Sequence, residues 1–269
     1  MILKEMHNQD FCVKTLSLPE NIFTELLKSC DFENVVKGRI GNHLVKITDK
    51  GVPIVRTTTL YTIPANDFAD IHNDIVESIK NEVQQTDSNQ FSELDFNNAL
   101  IEVYDCNYTK MKYHSDQCMD LNEDSFIGLF TCYENPDQLT ERFLRKLKIK
   151  EKETEEEFEI PLTHNSIVLF SLTANTKYLH KIVLESFSGL KSSELDNRWL
   201  GITFRKSKTF IQFNDGKPYF PDGELLVLAD EDQKKEFFKL RGEENNNVSF
   251  AYPKMPYTLS PGDIMLPKK

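Results

Sequence analysis

Short runs of β-branched and aromatic residues recur from the middle of the chain onward, and they predict β-strands. The runs are Ala99–Tyr104, Phe126–Tyr133, Ile160–Leu162, Ile167–Leu172, His180–Leu184 and Trp199–Phe204. Because they follow one another without regular intervening helices, they favour an antiparallel sandwich over a parallel, doubly wound sheet. We therefore predict an α+β, mainly β chain whose core is a jelly roll, or double-stranded β-helix.

Helical periodicity predicts three helices that flank this region. They lie over about residues 18–29, from about Asn66 to Val83, and over Asp232–Arg241. Ser17 and Pro19 have the residue types that begin a helix, and Gly242 is the type that ends one. The core should therefore carry N-terminal helices and a C-terminal extension.

The length of 269 residues, with 39% apolar and 28% charged residues, is enough to bury one substantial core. We predict a single domain over 1–269. It comprises an N-terminal helical and strand segment (1–92), a jelly-roll catalytic core (93–213) and a C-terminal extension (214–269). Within the core, the charged stretch Glu141–Glu159 is predicted to be a solvated hairpin or loop.

Charge and composition narrow the class of partner. The formal net charge of −11 gives an acidic surface that repels phosphate chains, so it does not support a nucleic-acid partner. No apolar run approaches the roughly 20 residues of a membrane span, and no signal-peptide pattern is visible. The five cysteines lack a C-x-x-C pair and are interpreted as free thiols. We expect a cytoplasmic chain, or a nuclear one in a eukaryote, without a membrane partner.

The candidate chemistry lies in His114-Ser-Asp116 and in a second histidine on a predicted strand, His180. Two imidazoles and one carboxylate on one face of an octahedral iron(II) leave three positions open, as in non-haem oxygenases. A 2-oxo acid can fill two of these positions and dioxygen the third. Arg198 and Arg205 follow along the chain, and arginine suits the far carboxylate of such an acid.

The order of these segments resembles the AlkB-like branch of the iron(II)/2-oxoglutarate oxygenases. That branch has the order N-x-Y, H-x-D, H-G-D with an apolar strand, a distal His, and R-x-N-x-T-x-R. The counterparts here are Glu102-Val-Tyr104, His114-Ser-Asp116, His164-Asn-Ser, His180 and Arg198–Arg205. The resemblance covers roughly residues 99–205 and includes the terminal Thr203-Phe-Arg205.

The resemblance implies an iron(II)- and 2-oxoglutarate-dependent dioxygenase, with dioxygen as the second cosubstrate. The implied iron ligands are His114, Asp116 and His180. The implied 2-oxoglutarate ligands are Arg205 near the chelating end, and Arg198 and Tyr104 at the far carboxylate.

The chain differs from the AlkB-like pattern at three places, and each difference predicts a feature of the cosubstrate pocket. Glu102 stands where the pattern has Asn, and its carboxylate would repel the far carboxylate of 2-oxoglutarate. Arg198 and Arg205 are seven positions apart rather than six, which places them on opposite faces of a regular strand. The middle Asn of the pattern is also missing, and a bulge at nearby Gly201 would be needed to align the two arginines.

Three functions remain open from the sequence. The first is oxidative demethylation of a nucleic-acid base, which the resemblance favours. The second is hydroxylation of a protein side chain or a small metabolite, which the acidic charge favours. The third is a cupin-like protein that binds metal without redox turnover, which the arginines disfavour.

Overall fold

The computed structural model describes residues 10–19, 22–84, 94–109, 111–185 and 197–269. In chain order the strands are β1 Phe11–Thr15, β2 Glu33–Val36, β3 Arg39–Val45, β4 Val52–Pro53, β5 Asn66–Asp67, β6 Asn98–Tyr104, β7 Phe126–Tyr133, β8 Lys146–Glu151, β9 Glu157–Pro161, β10 Ser166–Ser171, β11 Tyr178–Val183, β12 Trp199–Arg205, β13 Phe210–Asn214, β14 Lys217–Tyr219, β15 Val227–Leu228 and β16 Tyr257–Thr258. The helices are α1 Ile22–Lys28, α2 Asp70–Gln84, α3 Leu172–Lys177 and α4 Glu231–Asn246.

Eight strands form one large, mostly antiparallel sheet. Its order is β1-β10-β7-β12-β6-β3-β2, with β5 parallel to β3. Side chains alternate between the two faces of each strand, so each strand contributes side chains to two apolar layers, one on each face of the sheet. The outer layer holds Ile101 and Leu200 and packs under α1 and α2, whereas the inner layer holds Leu129 and Phe170.

A second, smaller sheet has the order β11-β8-β9 and covers the inner layer of the large one. Leu147 and Ile149 of β8 belong to the same apolar cluster as Leu129 and Phe170. His114 joins the small sheet through a bridge to His180. Two antiparallel sheets facing each other across one core confirm the predicted double-stranded β-helix.

The predicted strands are confirmed with small shifts of their ends. Strand β9 ends at Pro161 and lies earlier than predicted, and β11 begins two residues before His180. Helix α1 spans Ile22–Lys28, within the predicted 18–29. Helix α2 begins at Asp70 rather than Asn66, because Asn66 and Asp67 pair with β3 instead.

The charged stretch Glu141–Glu159 is the clearest correction to the predicted fold. It contains a hairpin, as one alternative predicted, but β8 is a central strand of the small sheet rather than a solvated appendage. Its apolar positions, Leu147 and Ile149, are almost fully buried, and Ile149 pairs with His180. The lysines that alternate with them, Lys146, Lys148 and Lys150, are only half-buried.

The C-terminal extension packs against the segment that follows His114, which is bridged to the small sheet. Helix α4 begins at an Asp230 capping box and continues through Gly242 to Asn246, so the predicted end at Gly242 is wrong. The turn after Gly242 is retained because Glu244 and Asn245 hydrogen bond to the segment around Ser115. Within the described residues, no helix is long and apolar enough to cross a membrane.

We predict that Ile149→Ala lowers the free energy of unfolding by about 2–5 kcal/mol, because it removes buried methyl groups from the core between the two sheets. Glu153→Ala, in the exposed turn between β8 and β9, is the matched control, with an expected change within about 0.5 kcal/mol. Urea unfolding measures both. Equal stability of the two variants would mean that the hairpin is peripheral, contrary to the structure.

Candidate metal centre and cosubstrate pocket

His114, Asp116 and His180 converge at one end of the core. One ligand atom from each lies within 4.8 Å of the others, and they form one such group among the described residues. The Asp116 Oδ1 and His180 Nε2 atoms are 3.9 Å apart, and the two imidazole centroids are 4.7 Å apart. The sequence-predicted triad is therefore assembled in space.

Backbone pairing fixes the two histidines side by side. The His114 amide donates to the His180 carbonyl at 3.0 Å, and the His180 amide donates to the His114 carbonyl at 2.7 Å. A reciprocal pair of this kind is a local antiparallel ladder in which opposite side chains stand on the same face. These two backbone hydrogen bonds thus fix the position of His114-Ser-Asp116 relative to β11.

The protonation states of the imidazoles suit metal binding. His114 Nδ1 lies 3.0 Å from the Lys112 carbonyl oxygen, to which it donates, so Nε2 is left as the ligand atom. Burial lowers the pKa of both histidines, that of His180 to about 3. Both imidazoles are therefore neutral near pH 7, as metal ligation requires.

Asp116 is held as a carboxylate by Arg205. Burial alone would raise the pKa of Asp116, but the Arg205 guanidinium, together with His180 and His114, lowers the pKa below its ordinary range. The Arg205 Nε atom donates to Asp116 Oδ2 at 3.0 Å. The other carboxylate oxygen, Oδ1, is the one that faces His180 and the metal position.

The backbone of Asp116 is clamped by Asn175 on α3. Asn175 Oδ1 accepts from the Asp116 amide at 2.7 Å, and its Nδ2 donates to the Asp116 carbonyl at 2.8 Å. Asn175 is 1% exposed, so water does not compete for these bonds. Because α3 leads directly into β11, this clamp ties Asp116 to the strand that carries His180.

Helix α4 supports the same segment from its other side. Arg241 donates to the Ser115 carbonyl, Asn245 Oδ1 accepts from the Ser115 amide at 3.0 Å, and Glu244 accepts from the Cys118 amide at 2.8 Å. None of these residues was predicted to serve the site. The residues they hold are about 130 positions away in sequence, and no local motif links them.

Arg198 and Arg205 point in opposite directions. Strand β12 pairs residue for residue with β6 from Trp199 to Arg205, so no bulge at Gly201 realigns them. Arg198 pairs with Glu134 at 2.6 Å, and its guanidinium carbon lies 5.4 Å from the Phe23 ring of α1, on the outer side. The expectation that Arg198 shares the pocket with Arg205 is therefore corrected: Arg205 lines it and Arg198 does not.

A cavity of about 150 Å³ opens beside the triad. Apolar side chains form much of its wall, namely Leu100, Leu129, Leu147, Phe170 and Ile182. Polar groups lie at its two ends along β6. Arg205 pairs with Asn98 on the side of the triad, whereas Glu102, Tyr104 and the paired Arg39 lie four to six residues further along that strand. The cavity can thus hold a small molecule that reaches the metal position.

Tyr104 lines this cavity, as predicted, but its hydroxyl already has a partner. It donates to Glu102 Oε2 at 2.6 Å, and burial raises the pKa of Tyr104 well above its usual value. Arg39 of β3, which the sequence did not single out, forms an ion pair with the other oxygen of Glu102. Burial alone would lower the pKa of Arg39, but the Glu102 carboxylate and the neighbouring tyrosines together raise the pKa.

Comparison with known proteins adds a likeness of fold. No family model matches the chain, and no curated protein matches it. Among solved structures, the chain is similar to the crystal structure of a Pseudomonas putida prolyl-4-hydroxylase, with a TM-score of 0.41 and 12% sequence identity. The match covers 73% of this chain and 92% of that one.

The donor set fits iron(II). Two neutral imidazoles and one carboxylate come from three separate positions, and no fourth protein ligand closes the group among the described residues. A site of this kind leaves positions for exogenous ligands, which a four-coordinate structural site does not. The Arg205 Nη1 atom is buried without a hydrogen-bond partner in the described part of the chain, which suits an incoming anion.

We predict that Asn175→Ala weakens iron(II) binding by about 10–100-fold, because the Asp116 backbone loses the clamp that orients its carboxylate. Thr173→Ala, at an exposed position of the same helix, should leave the affinity unchanged. Anaerobic titration against a chelator measures both constants. Unaltered affinity in folded Asn175→Ala protein would show that the clamp does not position the ligand.

Proposed function

We propose that the chain is an iron(II)- and 2-oxo-acid-dependent dioxygenase. The sequence resemblance implies 2-oxoglutarate as the acid, and the proposed activity requires only a 2-oxo acid. It would oxidise a substrate C–H bond and release CO2 and the shortened acid, which is succinate from 2-oxoglutarate. The observation that carries the proposal is the open His114–Asp116–His180 group in the wall of a cavity, with buried Arg205 beside it.

Bound iron would supply the coupling of dioxygen reduction to decarboxylation of the 2-oxo acid. The protein's own groups hold and orient the reactants. His114, Asp116 and His180 would hold the metal, and Arg205 supports the Asp116 carboxylate through Nε. The Arg205 Nη1 group is available to the carboxylate at the chelating end of the acid. The leucine and isoleucine walls keep water from the reacting atoms.

The charges near the site favour a protein side chain or a small metabolite as the primary substrate. The net charge is −11, and the three arginines that line the described cavity are each paired with a carboxylate, Arg39 with Glu102, Arg205 with Asp116 and Arg241 with Glu244. A phosphate chain would meet no unpaired cation among these three. Oxidative demethylation of a nucleic-acid base is the alternative that the resemblance implies, and a methylated oligonucleotide tests it in the same assay.

We predict oxygen-dependent release of labelled CO2 when the iron-loaded protein is given a 2-oxo acid labelled at C1. The panel contains 2-oxoglutarate and 2-oxo acids with uncharged tails. His180→Ala should lose this activity because the metal keeps only two ligands. Lys181→Ala, one residue further on the opposite side of β11, is the matched control and should retain it.

Two results would contradict the proposal. Activity at the wild-type level in His180→Ala would exclude His180 as a required ligand. Tight iron binding without CO2 release from any acid of the panel would instead support the cupin-like, non-redox alternative.

A further inference from the structure

The end of the cavity away from the triad contains a carboxylate that belongs to the protein. Glu102 is 7% exposed and accepts hydrogen bonds from Arg39 Nε at 2.7 Å, Tyr61 Oη at 3.1 Å and Tyr104 Oη at 2.6 Å. Both of its oxygens are used. A carboxylate with one guanidinium and two phenol donors is the arrangement that would otherwise bind the carboxylate of a ligand.

Strand β12 offers no cation at this end. Its inward-facing positions run from Arg205 through Thr203 and Gly201 to Trp199, which is 1% exposed. The Trp199 indole lies over Gly201 so closely that a Cβ atom there would collide with the ring. The space next to Glu102 on β12 is therefore filled by an aromatic ring.

Arg145, which also lies near this end, already has hydrogen-bond partners for its guanidinium group. Arg145 is 2% exposed and donates to the carbonyl oxygens of Tyr108 and Asp105 at 2.6 and 2.8 Å. Its guanidinium carbon lies 5.2 Å from the Tyr104 ring centroid and 6.0 Å from that of Trp199. Arg145 is not part of the cavity wall, so Arg39 is the cation nearest to Glu102 in the described cavity.

A second carboxylate at this end would face Glu102 and share one arginine with it. Two carboxylates in one buried site cannot both remain charged without a large penalty. A tail without charge would instead contact Leu100, Leu129 and Leu147, which favour apolar groups.

We propose that Glu102 fills, within the protein, the place of a cosubstrate's distal carboxylate, so that the site selects a 2-oxo acid with a short uncharged tail over 2-oxoglutarate. This inference rests on the proposed function and specifies its cosubstrate. The reaction balances as usual for the class: the acid R–CO–COOH loses C1 as CO2 and becomes R–COOH with one oxygen atom. The second oxygen atom enters the substrate C–H bond, and dioxygen takes two electrons from each partner.

The test is a binding titration that needs no turnover. Anaerobic iron(II)-loaded protein is titrated with 2-oxopentanoate and with 2-oxoglutarate, and the visible charge-transfer band of the chelated acid is followed. In the wild type, 2-oxopentanoate should bind at least about tenfold more tightly, which corresponds to about 1.4 kcal/mol. The wild-type comparison alone can overturn the inference if 2-oxoglutarate binds more tightly.

Glu102→Gln removes the charge and keeps the size of the side chain. It should strengthen 2-oxoglutarate binding about tenfold relative to 2-oxopentanoate binding, because Arg39 becomes available. Glu134→Gln is the matched control, since Glu134 also pairs with an arginine but on the outer face of the sheet. An unchanged preference in folded Glu102→Gln protein contradicts the inference. A bound iron that gives no band with either acid in any variant contradicts the proposed function, and the inference with it.

Discussion

The reciprocal backbone hydrogen bonds between His114 and His180 are the constraint on which the site depends. They join a loop segment to β11, and so they bring ligands 66 positions apart in sequence onto one face of the core. The strand itself is held by β8, whose Ile149 lies opposite His180. The backbone bonds therefore set where the imidazoles meet, and the apolar packing between the sheets holds the strand that carries His180.

Buried ion pairs then define the polarity of the cavity. Arg205 forms an ion pair with Asp116, and Arg39 forms one with Glu102 at the opposite end. Leaving either carboxylate without its arginine would bury an uncompensated charge, which is strongly destabilising. The two pairs differ in their surroundings, because Arg205 retains a donor without a partner in the described chain whereas both Glu102 oxygens are occupied. This difference gives the cavity one end suited to an anion and one end that is already neutralised.

Much of the fold and the triad could be predicted because their signals are local. Strand composition, H-x-D spacing and a second strand-borne histidine are visible within a few residues. The odd separation of Arg198 and Arg205 left two arrangements open, and the regular pairing of β12 decides against the bulge that would have placed Arg198 in the cosubstrate pocket. The role of β8 was missed because its alternate lysines look like a solvated stretch, although Leu147 and Ile149 between them are buried. Arg39, Asn175 and Asn245 could not be predicted, since each acts on a residue 59 to 130 positions away.

Iron-edge anomalous diffraction from crystals grown anaerobically with iron(II) tests the central claim most directly. The structure predicts one strong peak bonded to His114 Nε2, Asp116 Oδ1 and His180 Nε2, with the remaining positions open to water or a 2-oxo acid. A peak at another place, or a fourth protein ligand that closes the coordination sphere, would contradict the assignment of this group as a catalytic iron centre.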